Sequence, residues 1–168
     1  MDPISAEIVE KTWKEMAEMG PDETVGLVDK MVKKQPLIFA YLMASGETNF
    51  LNQQEKESLL YMGMAVWRMM SQGNRPLYRI TERLLDKIEA RNDKMLESLS
   101  GESSGDFVAV VQKIFTNYNQ VEVLKYVVEG LMEEDGDVEF SDDGKGFLMM
   151  CLKNVIDCFD YMPKKKGR

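Results

Sequence analysis

Between Leu59 and Met70 the residues "LLYMGMAVWRMM" are apolar on nearly every face of a helix, and "FLMMCLKNVIDCF", from Phe147 to Phe159, is almost as uniform. A helix at a protein surface keeps a polar stripe for water, so two helices without one belong in the middle of a domain with neighbours all round. The expected fold is therefore all-α. It is a single-domain bundle of about seven or eight helices over residues 1–163, with helices near 52–71 and 142–162 at its centre and a basic tail at 164–168.

The remaining segments carry the signals of amphipathic helices. Asp2 as cap and Pro3 at the first helical position predict a helix that buries Ile8, Val9, Trp13 and Met16 and stops at Gly20. A second helix, from about Asp22 to Lys34, turns Val25, Val28, Met31 and Val32 inward, and Pro36 separates it from a short third helix reaching Ser45 and Gly46. Asn52 with Glu55 three residues later has the form of a capping box. Leu77, Ile80, Leu84, Ile88, Met95 and Leu99 make the stripe of a fifth helix, and "SGESSG", 100–105, reads as a short connection. Two further helices follow, broken near Asn117 to Asn119, before a last one begins at Ser141 or Asp142.

The first half of the chain also resembles the second, weakly. Aligning "QPLIFAYLM" and "NQQEKESLLYMGMAVW" with "QVEVLKYVV" and "SDDGKGFLMMCLKNVI" pairs Gln35 with Gln120, Tyr41 with Tyr126, Lys56 with Lys145, Leu59 with Leu148 and Val66 with Val155. An internal duplication would make the two apolar helices its pseudo-symmetric centre. Any two polar-capped apolar helices would give a similar match.

Composition removes whole classes of chemistry. There is no histidine among the 168 residues, so His-dependent triads, His-ligated zinc and Glu-x-x-His di-iron sites are excluded. Carboxylate, lysine or tyrosine chemistry and oxygen-ligated Mg²⁺ or Ca²⁺ remain open. Cys151 and Cys158 lie in one expected helix about 10.5 Å apart along its axis, too far for a disulfide, and read as buried free thiols. The net charge is −8, and because the tail "KKKGR" holds four of the positive charges, residues 1–163 carry −12. A body of that sign repels phosphate backbones, so no nucleic acid partner is expected. No apolar run is long enough to cross a bilayer, and "MDPISAEIVEKTW" lacks the order of a signal peptide, so the expectation is a cytoplasmic protein without a membrane partner.

The stretch "EEDGDVEFSDDGKG", Glu133 to Gly146, looks like a calcium loop but fits the pattern in no register. A start at Asp135 puts Phe140 at the glycine position, and a start at Glu139 puts Met150 at the bidentate position. Its acids read as a solvated loop that leads into a capped helix. Glu133, Glu134, Asp135, Asp137 and Glu139 are then an acidic surface on which a basic partner could dock. Glu82, Asp86, Glu89 and Asp93 share one helix face, but interleaved Arg83, Lys87, Arg91 and Lys94 suit surface ion pairs.

These features favour a non-catalytic interaction or scaffold protein that binds a protein partner or itself and needs no cofactor. The fourteen methionines, several of them paired in the central helices, read first as adaptable core filling, and apolar surface beyond what a small bundle buries would mark an interface. Tyr41, Trp67, Met69, Met70, Tyr161 and Met162 are the candidate contact residues. Arg68, set among them, either snorkels outward or pairs with an acid near a pocket. The alternatives are an enzyme using an oxygen-ligated divalent metal, with acids converging on one cavity, and a small-molecule carrier or sensor whose cavity is lined by Met62, Trp67, Cys151 and Val155.

Overall fold

A computed structural model describes residues 1–100, 107–133 and 139–162. Among these residues there are eight helices and no strand: α1 (Ala6–Ala17), α2 (Pro21–Lys34), α3 (Pro36–Gly46), α4 (Gln53–Met70), α5 (Glu82–Ser100), α6 (Phe107–Phe115), α7 (Val121–Met132) and α8 (Asp142–Asp160). Ser100, the first residue of the expected "SGESSG" connection, is the last of α5, and 101–105, like the tail at 164–168, lie outside the described residues. No helix among them is long and apolar enough to cross a membrane.

The two uniformly apolar helices are the centre. α4 and α8 pack against each other more extensively than any other pair; α3 lies on α4, α7 on α8, and α1 and α5 flank them. Their N-termini meet, because the Ser141 hydroxyl that caps α8 lies 3.3 Å from the Glu55 carboxylate on α4. Their C-terminal ends meet too, since Arg75, just beyond α4, donates to the Phe159 and Tyr161 carbonyls at the end of α8. The central helices therefore run side by side in the same direction. Met69, Met70, Leu148, Leu152, Val155 and Ile156 have no exposure.

Several expectations about individual residues are corrected. The cap of α1 is Ser5, whose hydroxyl accepts from the Ile8 N–H, so Asp2 and Pro3 belong to a non-helical lead-in. Thr12, not Trp13, faces the core, with its hydroxyl satisfied by the Ile8 carbonyl and by Gln72; Trp13 is 41% exposed. On α2 the buried residues are Leu27 and Met31, and Val25 and Val32 face outward. Leu77 and Ile80 also sit in a lead-in, because α5 begins only at Glu82. The capping box on α4 forms as expected, Asn52 accepting from the Glu55 N–H and Glu55 from the Asn52 N–H. The break between α6 and α7 falls where Asn117 takes φ 62°, a left-handed conformation that asparagine tolerates.

The two halves of the chain share one frame. Ser5 and Thr81 each cap a flanking helix through the same pair of bonds, from the N–H groups three and four residues on. Each is preceded by a buried isoleucine, Ile4 or Ile80. Gln35, ahead of α3, is buried and holds the second lead-in: its Oε1 accepts from the Ile80 N–H at 3.0 Å and its Nε2 donates to the Tyr78 carbonyl at 2.9 Å. Gln120, ahead of α7, holds the first in the same manner, with Ile4 N–H at 2.9 Å and the Asp2 carbonyl at 3.1 Å. Each half thus clasps the other. The pairs Leu59 with Leu148 and Val66 with Val155 stand equally far beyond their caps, and none of the four is exposed.

Candidate functional site

A buried polar cluster lies where α8 meets α5. Asp157 accepts from Lys153 Nζ at 2.6 Å and Asn92 Nδ2 at 2.9 Å on one oxygen, and from the Tyr118 hydroxyl at 2.6 Å on the other. Lys153 also donates to Asn92 Oδ1, Asn92 to Asn154 Oδ1, and Asn154 to the Tyr41 hydroxyl. Burial pushes both phenols up, and the Asp157 charge adds to the effect on Tyr118. Burial also raises the Cys151 thiol to about 11 and the Cys158 thiol to about 12, so both are protonated near neutral pH and are poor nucleophiles. A network whose members satisfy one another, away from the three cavities described below, seats α8 on α5. The sequence signalled it only as two charges, Lys153 and Asp157, inside an apolar run.

The expected interface is largely enclosed. Met69 and Met70 have no surface and Trp67 is 8% exposed, because α1, α2, α3, α7 and α8 all pack on α4. Tyr41 is half-buried with its hydroxyl committed to Asn154. These four residues form no common contact surface. Tyr161 and Met162 remain accessible at the end of α8. Arg68 reaches outward to Glu15 at 3.2 Å and to the sulfur of Met19.

The acids do not gather either. Among the described residues no three Cys, Asp or Glu side chains could hold a metal ion together. Glu134, Asp135 and Asp137 lie outside the described residues; Glu133 follows α7 and Glu139 is exposed ahead of α8. On α5 the expected ladder of ion pairs is replaced by longer reaches, Lys87 to the Tyr161 hydroxyl and Arg91 to Asp157. Burial and its neighbours Asp86 and Asp93 raise the Glu89 carboxyl. The lining proposed for a closed cavity is dispersed as well: Met62 belongs to one groove and Trp67 to another.

Among the described residues three surface cavities stand out. The largest, about 1080 Å³, runs past Trp67 and mixes Glu15, Glu18 and Glu23 with Lys30, Lys34 and Arg68, so it offers no single chemistry. A second, about 440 Å³, lies at the C-terminal end of α8 and is lined by cations. The third, about 490 Å³, is an aromatic groove between α1, α4 and α7. Trp13 comes from α1, Tyr61 and Met62 from α4, Tyr126 from α7 and Phe140 from the approach to α8. Glu57 and Glu133 are its charged lining residues. Lys14 lies 5.8 Å from the Trp13 ring but is paired with Glu10 at 2.6 Å. Gly130 lets Met62 cross α7, since a Cβ there would occupy the place of the Met62 methyl. Sequence reasoning missed this groove because its parts lie in four separate stretches, none marked by local periodicity. Comparison with protein-family models, with curated proteins and with solved structures gives no match, and the chemistry of the surface is the guide to function.

Proposed function

We propose that the chain is a non-catalytic interaction protein whose aromatic groove holds a basic amphipathic segment of a partner protein. The observation that carries the reading is the conjunction in one groove of four aromatic side chains with two carboxylates and, among the described residues, no lining cation. Trp13 and Tyr61 keep 41% and 40% of their surface in water, which is apolar area that a partner would cover. Aromatic side chains in a desolvated pocket are the usual anchors of such contacts. The carboxylates, on a chain of net charge −8, draw in lysine and arginine and disfavour acidic competitors. A helix laid in a groove through apolar positions three and four residues apart is the form of partner that suits this shape.

Calorimetric titration with two synthetic helical peptides tests the reading, one built from leucine and lysine and the other from leucine and glutamate. The lysine peptide should bind, and Trp13→Ala or Tyr61→Ala should weaken it by about tenfold or more. Equal binding of both peptides, or binding indifferent to the two substitutions, would overturn the proposal. Sedimentation of the protein alone covers the remaining occupant: a dimer dissolved by the same substitutions would assign the groove to a second copy.

A further inference from the structure

The cavity at the C-terminal end of α8 has the opposite character. Arg75, Arg79, Arg83 and Lys87 line it, and among the described residues no carboxylate does, on a chain with eight more acids than bases. Two of these cations have structural work. Arg75 closes the end of α8 through the Phe159 and Tyr161 carbonyls, at 3.0 and 2.8 Å, and Arg79 reaches the Lys33 carbonyl at the end of α2. A helix C-terminus carries only about half an elementary charge, so two helix ends leave most of the positive charge unbalanced. Lys87 has a neutral partner, the Tyr161 hydroxyl at 3.1 Å. Arg83 has no hydrogen-bonding or ion-pair partner among the described residues.

The first half of the chain shows what the frame itself requires. Counting from the equivalent caps Ser5 and Thr81, Asp2 stands where the second half has Tyr78, Pro3 where it has Arg79, and Glu7 where it has Arg83. Lys11, the counterpart of Lys87, lies 3.9 Å from the Glu15 carboxylate. That lead-in folds back onto Gln120 as the other does onto Gln35, without a cluster of cations. The fold therefore does not demand the positive charge. The first turn of α5 adds to it, because Thr81 caps the Leu84 N–H and the amide groups ahead of that one point away from the helix at its positive end.

We propose that this cavity binds a phosphate monoester carried on a flat or apolar body, with the phosphate against Arg79, Arg83 and Lys87. Leu84 supplies an apolar surface for the body, and Tyr78 and Tyr161 stand beside it as stacking partners. Arginine matches phosphate oxygens with paired donors, and the volume lies in the range of small-molecule sites. The phosphate belongs to a soluble ester such as a mononucleotide or to a lipid headgroup, and the test separates the two.

Calorimetry on the full chain with adenosine monophosphate, adenosine and inorganic phosphate is one arm. Flotation with phosphatidylcholine vesicles, with and without phosphatidic acid, is the other. Either the nucleotide or the phosphatidic acid vesicles should bind, more weakly as salt rises, and Arg83→Glu should lower the affinity about tenfold or more while leaving the melting profile unchanged. Binding of the nucleotide identifies a soluble ester, and binding of the vesicles alone identifies a headgroup. The proposal is overturned if no probe binds, if adenosine binds as well as its monophosphate, if inorganic phosphate matches the nucleotide, or if Arg83→Glu changes nothing. The peptide groove lies elsewhere and stands or falls separately.

Discussion

Arg68 on α4 and Asp157 on α8 stand equally far beyond their caps, and each pairs with the flanking helix beside it, but with the charges exchanged. Arg68 meets Glu15 of α1 at 3.2 Å; Asp157 meets Arg91 of α5 at 3.5 Å. The neighbouring positions diverge as well: Met16, Met64 and Ala65 in the first half stand where Asn92, Lys153 and Asn154 stand in the second, and all six are buried. The first half fills its seam with apolar side chains and leaves its ion pair part-exposed. The second sinks Asp157 to 6% exposure and surrounds it with donors. At these three neighbouring positions the frame keeps the residue buried in both halves, whereas its chemistry varies and the buried polar atoms of the second half find partners in one another. That freedom is also what allows the two lead-ins to differ in charge.

The sharpest way to break this comparison is to delete one member of each pair. Asp157→Ala leaves Lys153 buried without its counter-charge and should cost about 3–5 kcal/mol, whereas Arg68→Ala should cost no more than about 1 kcal/mol. Urea unfolding at constant slope measures both. Equal losses would mean that depth does not separate the two seams. Gln35→Ala and Gln120→Ala come next. Each strands a backbone N–H and a carbonyl of the other half's lead-in, at a cost of about 2–4 kcal/mol. Gln120 also donates to Asp160 at 2.8 Å, which places its loss at the upper end. If only one of the two were costly, the mutual clasp would not be equivalent.

What the sequence made legible is local. The capping box at Asn52 and the cap at Ser141 follow from side chains that reach three residues, and the burial of α4 and α8 follows from apolar residues on every face. The equivalence of Gln35 and Gln120 was visible as a weak pairing, although its meaning lay in bonds to segments 43 to 118 residues away. The same bonds explain two errors. Asp2 was read as a cap and Ile80 as a helical residue because nothing local says that a glutamine from the other half holds those segments out of the helix. Trp13 displaced Thr12 in the expected core because a threonine whose hydroxyl bonds to its own helix counts as polar in a periodicity but buries like an apolar residue. The paired methionines are mostly core filling, because the helices packed on α4 and α8 cover them. Arg75, Arg79, Arg83 and Lys87 were visible at intervals of four, but the series crosses the start of α5 and therefore follows no helix face.

Glu55 and Gly144 give the finest test, because they are equivalent residues that touch. Each stands three residues beyond its cap, Asn52 or Ser141. Glu55 is 1% exposed; one oxygen accepts from the Asn52 N–H at 3.1 Å, and the other receives the Ser141 hydroxyl at 3.3 Å. A single carboxylate thus serves the N-termini of both central helices, and Gly144 is what makes room for it, since a Cβ there would overlap the Glu55 oxygen. Gly144→Ala should cost about 1–3 kcal/mol by overpacking, and Glu55→Gly about 1–2 kcal/mol through loss of the box and of helix propensity. If the halves are interchangeable at this point, the exchange Glu55→Gly with Gly144→Glu moves the acid to α8, where Ser141 and the new carboxylate complete a box of their own. The exchanged protein should then be more stable than the sum of its single changes by about 1–3 kcal/mol. Strict additivity would place the axis of the pseudo-symmetry away from this contact and confine the equivalence of the halves to their lead-ins.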